Sequence, residues 1–486
     1  MGAEWLGSRA TRGHAFHNGW REMSNSRTIV EPATGGSLGS IGIAGIDDIR
    51  SACKDARAAQ QGWGEGSYER RSEVMRAAAR AMSDARADIA SWIVRESGSI
   101  QAKADYEVAV TIKALWEAAS MASQAAGQVL PSEMGRLSIA RRRPIGVVGV
   151  ISPFNFPLYL AMRAVAPALA VGNAVVLKPD PRTAVCGGLV IARVFEEAGL
   201  PEGVLSVLPG DGDAGAALCR DPDVGMIQFT GSTAAGRKVG ALAGEQLKKV
   251  SLELGGKNSL IVLDDADLDL ALANTSWGAY LHQGQICMAA GRVLVQRSIA
   301  EEFSRRLAER ASALPVGDPS SGQVALGPLI AQNQVDHASS IIDQSVANGA
   351  RLLAGGKADG LFFQPTVLAD VTSTMRAYSE EIFAPVAVIT PFDTDEDAVR
   401  IANDTDFGLS AGILTNSIAR ALAIGERLRV GLLHINDQTV NEDAVNPFGG
   451  VGASGNGTAI GGPANWEEFT HWQWLTLKGT PPAYPF

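Results

Sequence analysis

At 486 residues the chain is far longer than one hydrophobic core supports, so two or three packed domains are expected. Hydrophobic residues make up 46% and charged residues 19%, a balance that excludes an intrinsically disordered chain. The formal net charge of -10 argues against a nucleic-acid partner, which needs a broad positive field.

The one basic cluster, Arg141-Arg142-Arg143, is too short to change that and is expected to cap a strand or to sit at a subunit surface. Four cysteines (Cys53, Cys186, Cys219 and Cys287) form neither a disulfide framework nor a CxxC pair. The histidines form no HExxH pair, so no metal site is expected, and a reducing, cytoplasmic setting fits best. The first twenty residues lack the apolar core of a secretory signal, and Leu6 breaks the myristoylation pattern. Residues 145–162 are uncharged, but Pro153, Asn155 and Pro157 divide them into a strand and a turn rather than a membrane span.

In chain order, residues 46–120 are Ala-rich with helical spacing and predict successive helices. From Arg143 to Arg220, short apolar runs (IGVVGVI, AVVLKP, VLSVLPG) alternate with helical segments, the pattern of βαβ units on a parallel sheet. MIQFTG, a helix from Ala234 and KVSLELGG continue it. A second alternating block follows Asn258: SLIVL, a helix reading DLDLALANTSWGAYLHQG, RVLVQ and another helix. Residues 315–356 read as polar and helical, followed by the strands FFQPTVL and VAVITPF. WQWLTL in the tail predicts a late strand seeking a partner surface. The coarse expectation is two α/β domains joined near residue 254.

Several strings carry chemistry. Gly210-Asp211-Gly212-Asp213-Ala214-Gly215 fits GxGxxG between a strand and a helix, yet lacks the acidic residue about 20 positions on that holds a ribose. A glycine-rich structural turn reads equally well. Phe229-Thr230-Gly231-Ser232-Thr233-Ala234-Ala235-Gly236 nearly spells a P-loop, but Arg237 stands where the lysine should be, which disfavours Mg-nucleotide hydrolysis. Free N–H groups at such a helix start still suit an anion. Lys178 closes a strand at its C-terminal end, where open α/β sheets bind ligands.

Cys287 follows a polar, Gly-containing lead-in, Gln283-Gly284-Gln285, expected to loosen a helix start and favour thiolate, although a lone cysteine is ordinarily a small core residue. Glu253 stands inside an apolar strand end, where burial raises a carboxyl pKa toward general-base use, unless Lys257 satisfies it. Asn155 is an amide between two prolines, suited to an oxyanion donor or simply to a turn.

Taken together, PFNFP, VVLKP, FTGSTAAG, LELGGK, GQICMA, EEIFAPV and NPFGG occur in an order that resembles the aldehyde dehydrogenase superfamily over nearly the whole chain. Within it the chain looks most like bacterial aromatic aldehyde dehydrogenases, the benzaldehyde, vanillin and salicylaldehyde group. The resemblance implies Cys287 as nucleophile, Glu253 as the base that activates water, and Asn155 with the Cys287 N–H as oxyanion hole. It implies a cofactor site of Ser152, Phe154, Lys178, Gly212, Phe229, Gly231, Ser232, Gly236, Leu254, Gly255, Glu381 and Phe383. By the same resemblance Phe156, Tyr159, Leu160, Ile286 and Phe448 line an aromatic substrate pocket.

The implied fold is α/β, the aldehyde dehydrogenase fold. Residues 1–122 and 144–253 form a doubly wound NAD(P)-binding domain, and 254–461 an α/β catalytic domain. Residues 123–143 and 462–486 form a bridging β oligomerisation element, in a homodimer or homotetramer. In Lys178-Pro179-Asp180-Pro181, Asp180 disfavours a 2′-phosphate, so NAD is expected, with NADP left open. Two other readings compete. A CoA-acylating semialdehyde dehydrogenase conflicts with a water-activating Glu253, and a non-catalytic binding protein gives no reason for nucleophile, base and amide to coexist.

Overall fold

The computed structural model describes residues 5–486. Its first half opens on short N-terminal strands and a run of helices: Ile46–Glu65, Tyr68–Asp84, Arg86–Ser97 and Gln101–Met121. On Gln101–Met121 the buried positions Ala104, Val108, Thr111, Leu115 and Ala118 recur at three- and four-residue spacing, which gives it one packed face. That face meets the helix Pro157–Ala170, which is buried at every position and starts with Pro157, where a missing N–H costs nothing.

The first sheet has seven strands in the order Lys249–Glu253, Val224–Thr230, Val147–Ile151, Ala174–Lys178, Leu205–Val207, His14–Phe16, Trp20–Glu22. The first five are parallel, and the N-terminal hairpin closes the edge antiparallel. Strand order reverses between Val147–Ile151 and Val224–Thr230, and their carboxyl ends open the crevice where doubly wound sheets bind ligands. The second sheet also has seven strands, six of them parallel, with Ser259–Val262 and Arg292–Gln296 at its centre. A third, antiparallel sheet pairs Thr470–Lys478 with Arg136–Pro144 and Gly127–Leu130.

Several local expectations change. The strands between His14 and Ile43 have little alternation and were not anticipated. In residues 315–356 only Gln332–Ala347 is α-helical. FFQPTVL splits at Pro365, which has no N–H for a ladder, into Phe362–Phe363 and Thr366–Ala369. The helix through DLDLALANTSWGAYLHQG stops at Tyr280. The three arginines do not cap a strand; they lie within Arg136–Pro144, where Arg142 pairs with Glu467 and stacks 3.7 Å from the Trp472 ring centroid. Among the described residues no helix is long and apolar enough to cross a membrane.

Asn173 ties the tail to the first sheet. Its amide donates to Ala168 O at 3.0 Å and Phe469 O at 2.9 Å, and its Oδ1 accepts from Gly146 N at 2.9 Å. All three bonds are buried; Ala168 O keeps the backbone Asn173 N–H, so Asn173→Ala leaves Gly146 N and Phe469 O without this partner at about 1–3 kcal/mol each. The expected outcome is a clearly lower melting temperature by calorimetry, whereas Gln473→Ala in the exposed part of the tail strand leaves it nearly unchanged.

Candidate active site

The crevice at the strand reversal is a cleft of about 850 Å³. Ser152 and Phe154 follow the central strand, and Lys178 ends its neighbour, where the buried ammonium donates to Gly210 O at 2.6 Å. Gly231 and Ser232 follow Val224–Thr230, and Ser232 Oγ caps the helix Thr233–Glu245 by accepting from Ala235 N at 3.3 Å. Gly212, Phe229, Leu254, Gly255, Glu381 and Phe383 complete the predicted set on its walls. A Cβ at Gly255 would stand 2.2 Å from Glu381 Oε2, so any side chain there displaces the Glu381 carboxyl group. Gly236 does not reach the cleft; it faces Leu254, whose Cδ2 lies 2.3 Å from where its Cβ would be, so it serves helix packing.

Cys287 is reached through an unusual turn. His282, Gln283 and Gly284 have φ of 49°, 57° and 67°, a left-handed stretch in which two residues carry side chains. Such conformations cost roughly 1–3 kcal/mol each and persist only where surroundings enforce them. Gln283 is held by Nε2 bonds to Gly98 O at 3.0 Å and Pro328 O at 2.8 Å, and the buried His282 ring packs edge-on against Phe156. Beyond the turn, Asn258 Nδ2 fixes the Cys287 carbonyl at 2.8 Å. Asn155 Nδ2 donates to Gln285 O at 2.8 Å, which places the amide on the same loop as the thiol.

No helix begins at Cys287, so the expected stabilisation of thiolate by a helix start is absent. Desolvation instead pushes the thiol up to about 12, opposed first by the Arg163 guanidinium. Glu253 ends the strand Lys249–Glu253, and the Ser454 carbonyl fixes the next peptide by accepting from Leu254 N at 2.9 Å. Both its carboxyl oxygens are buried with no hydrogen-bond partner among the described residues. Desolvation raises its pKa well above the ordinary value, again opposed first by Arg163. Lys257 does not satisfy it: the Lys257 ammonium is itself unpartnered, and burial lowers it to about 7. Glu381 accepts from Gly256 N at 3.0 Å, while burial raises it to about 7.

A second cavity, of about 310 Å³, meets the cleft at Cys287, Asn155 and Leu160, which line both. Phe156, Tyr159, Leu160 and Ile286 line it as predicted. Phe448 does not; it lies in the apolar cluster behind, with the Arg163 guanidinium 4.5 Å from its ring centroid. Trp277, Met288, Asp437, Asn441 and Glu442 also line the cavity and were not anticipated. Arg163 pairs with Glu442, and although burial works against its charge, that carboxylate leads the influences that outweigh it and keep it protonated. The clue to Arg163 was a lone cation in an otherwise apolar helix, LYLAMRAVAPALA. Its partner lies 279 positions away and has no local signature.

The aldehyde dehydrogenase family profile matches residues 20–475. The chain is 51% identical to a vanillin dehydrogenase of Amycolatopsis sp. over 98% of each protein. It is 46% identical to a benzaldehyde dehydrogenase [NAD(+)] of Pseudomonas putida, again over 98% of each. A crystal structure of betaine aldehyde dehydrogenase from Staphylococcus aureus in complex with NAD+ superposes with a TM-score of 0.95 at 29% identity, covering 98% of this chain and 96% of the other. With its ordered motifs gathered around one thiol and its whole fold matched, the chain belongs to the aldehyde dehydrogenase family.

Proposed function

We propose that this protein oxidises aromatic aldehydes to carboxylic acids, with NAD as hydride acceptor. The carrying observation is that Cys287 and Asn155 stand in the wall shared by a dinucleotide-sized cleft and an apolar cavity. The cleft fits NAD by size and by its donors, including the buried Ser152 Oγ, which lacks a partner among the described residues. Lys178 would hold ribose hydroxyls, Gly212, Gly231 and Ser232 the pyrophosphate, and Phe154, Leu254, Gly255, Glu381 and Phe383 the nicotinamide riboside. Bound NAD supplies a nicotinamide that accepts hydride. Asp180, which also lines the cleft, is held charged against burial by paired bonds from Arg182, which stands beside it in the cleft wall.

In this reading Cys287 releases its proton to water, its Sγ attacks the aldehyde carbon, and Asn155 Nδ2 with the Cys287 N–H stabilises the alkoxide. Arg163 favours the charged state of both Cys287 and Glu253. After oxidation leaves a thioester on Cys287, Glu253 takes a proton from water, whose oxygen attacks the acyl carbon; the C–S bond breaks, the acid leaves and the Cys287 thiolate is restored. Phe156, Tyr159, Leu160, Ile286 and Met288 form a sleeve for a flat ring. Residues 1–122 and 144–253 serve the dinucleotide and 254–461 carry the nucleophile. The third sheet exposes Val129, Trp474 and Leu477, which supports burial against another copy in a homodimer or homotetramer. Four free cysteines suit the cytoplasm.

Cys287→Ala is expected to abolish dehydrogenation. Glu253→Gln is expected to retain a burst of one NADH per site and then stall; unaltered steady turnover would refute its role. Benzaldehyde should exceed acetaldehyde in kcat/KM by at least about tenfold, since each lost apolar contact in a fitted pocket costs about 1–3 kcal/mol. The reverse order would overturn the aromatic assignment, and acyl-CoA in place of acid would overturn hydrolysis.

Glu253 also makes stability depend on pH. Its folded pKa is raised above the ordinary 4.5, so the folded chain binds that proton more tightly and stability falls as pH rises through this interval. Glu253→Gln removes that loss. Its melting temperature should exceed the parent's at about pH 8, and the gap should shrink toward about pH 5.

A further inference from the structure

The helix Pro157–Ala170 begins immediately after Asn155-Phe156, yet its own N-cap, Phe156, offers no side-chain bond. The missing acceptor comes from another helix. Glu107 Oε1, from Gln101–Met121, accepts from Leu158 N at 2.9 Å and Tyr159 N at 3.2 Å. One turn earlier, Lys103 Nζ donates to Glu107 Oε2 at 2.6 Å and to the Asn155 carbonyl at 2.8 Å. The same ammonium lies 4.0 Å from the Phe156 ring centroid. Both side chains are 0% exposed, and Lys103 also lines the cavity beside Cys287.

A buried ion pair is expensive to assemble, and its replacement by apolar residues is often neutral or stabilising. Stability alone therefore gives a weak reason for it here. Its bonds converge on the Leu158 and Tyr159 N–H groups and on the peptide of Asn155, whose amide faces the Cys287 loop. We infer that Lys103 and Glu107 are positioning residues, a clamp that fixes the Asn155 amide where negative charge develops on the aldehyde oxygen. Glu107 sets the start of the helix, and Lys103 pins the Asn155 carbonyl so that the Asn155 side chain has one available orientation. The neighbouring groups are compatible with this: Thr111 Oγ1 bonds back to Glu107 O at 2.6 Å, and His282 packs on the far side of Phe156.

The inference rests on the reading of Asn155 as the oxyanion donor, so the test separates the two. The burst rate of NADH formation with benzaldehyde is measured for the parent, Asn155→Ala, Lys103→Arg, and the double variant Lys103→Met/Glu107→Gln. The glutamine amide of Glu107→Gln keeps a carbonyl acceptor for the helix while both charges disappear together. NADH binding, followed by its fluorescence, and melting temperature report folding. Asn155→Ala should lose roughly a hundredfold or more, the usual effect of one oxyanion donor. Lys103→Arg and the double variant should each slow the burst about tenfold with KM little changed, because the loss falls on the transition state.

In an Asn155→Ala background, Lys103→Arg should cost nothing further, since the residue it positions is gone. Folded variants with the parental burst rate would overturn the clamp, as would losses that multiply in the combined variant. If the double variant fails to fold, Lys103→Arg alone and in the Asn155→Ala background decides the matter. A parental burst in Asn155→Ala would instead overturn the oxyanion assignment.

Discussion

Desolvation of two acids around one cation governs this site. Cys287 and Glu253 are both pushed toward their neutral forms by burial, and for each the leading opposing influence is the Arg163 guanidinium. Arg163 is held in turn by Glu442 and rests on Phe448. Water would solvate all of these charges equally well and leave nothing to distinguish one protonation state from another. In the dry interior, a small displacement of one group changes the charge that its neighbours will accept. The scaffold therefore has to hold them rigidly.

That rigidity comes from elements distant in sequence. Glu253 is set by a strand end whose next peptide is bonded to the late segment at Ser454. Cys287 follows a left-handed turn that costs free energy and is enforced by Gly98 and Pro328, and Asn258 holds its carbonyl. Asn155 is fixed from the helix Gln101–Met121 by the buried pair Lys103 and Glu107. Each group thus depends on a partner at least twenty-nine positions away. The local chain supplies the chemistry, and the tertiary fold supplies the direction in which it points.

This division explains what could be read from the amino-acid sequence. The βαβ alternation from Arg143 onward exposed the parallel sheet, because buried parallel strands are short and uniformly apolar. Cys287, Glu253, Asn155 and most of the cleft residues were visible in ordered motifs. Gly236 and Phe448 were assigned to walls they do not line, since a motif records proximity in sequence and not the facing of a side chain. The expected thiolate at Cys287 assumed a helix start that the turn at His282 replaces. The Arg163–Glu442 and Lys103–Glu107 pairs needed the fold. Arg163 and Glu442 join remote segments, whereas Lys103 and Glu107 resemble an ordinary exposed i,i+4 pair until Pro157–Ala170 covers them.

The two cavities share three residues, Cys287, Asn155 and Leu160, and otherwise draw on different parts of the chain. The cleft is framed largely by the carboxyl ends of the first sheet, whereas the smaller cavity is framed by faces of three helices, the Cys287 loop and the segment from Asp437 to Glu442. Mutational drift in that segment can reshape one chamber while the other keeps its walls. Such a partition lets a lineage change its diet of aldehydes without rebuilding its redox machinery.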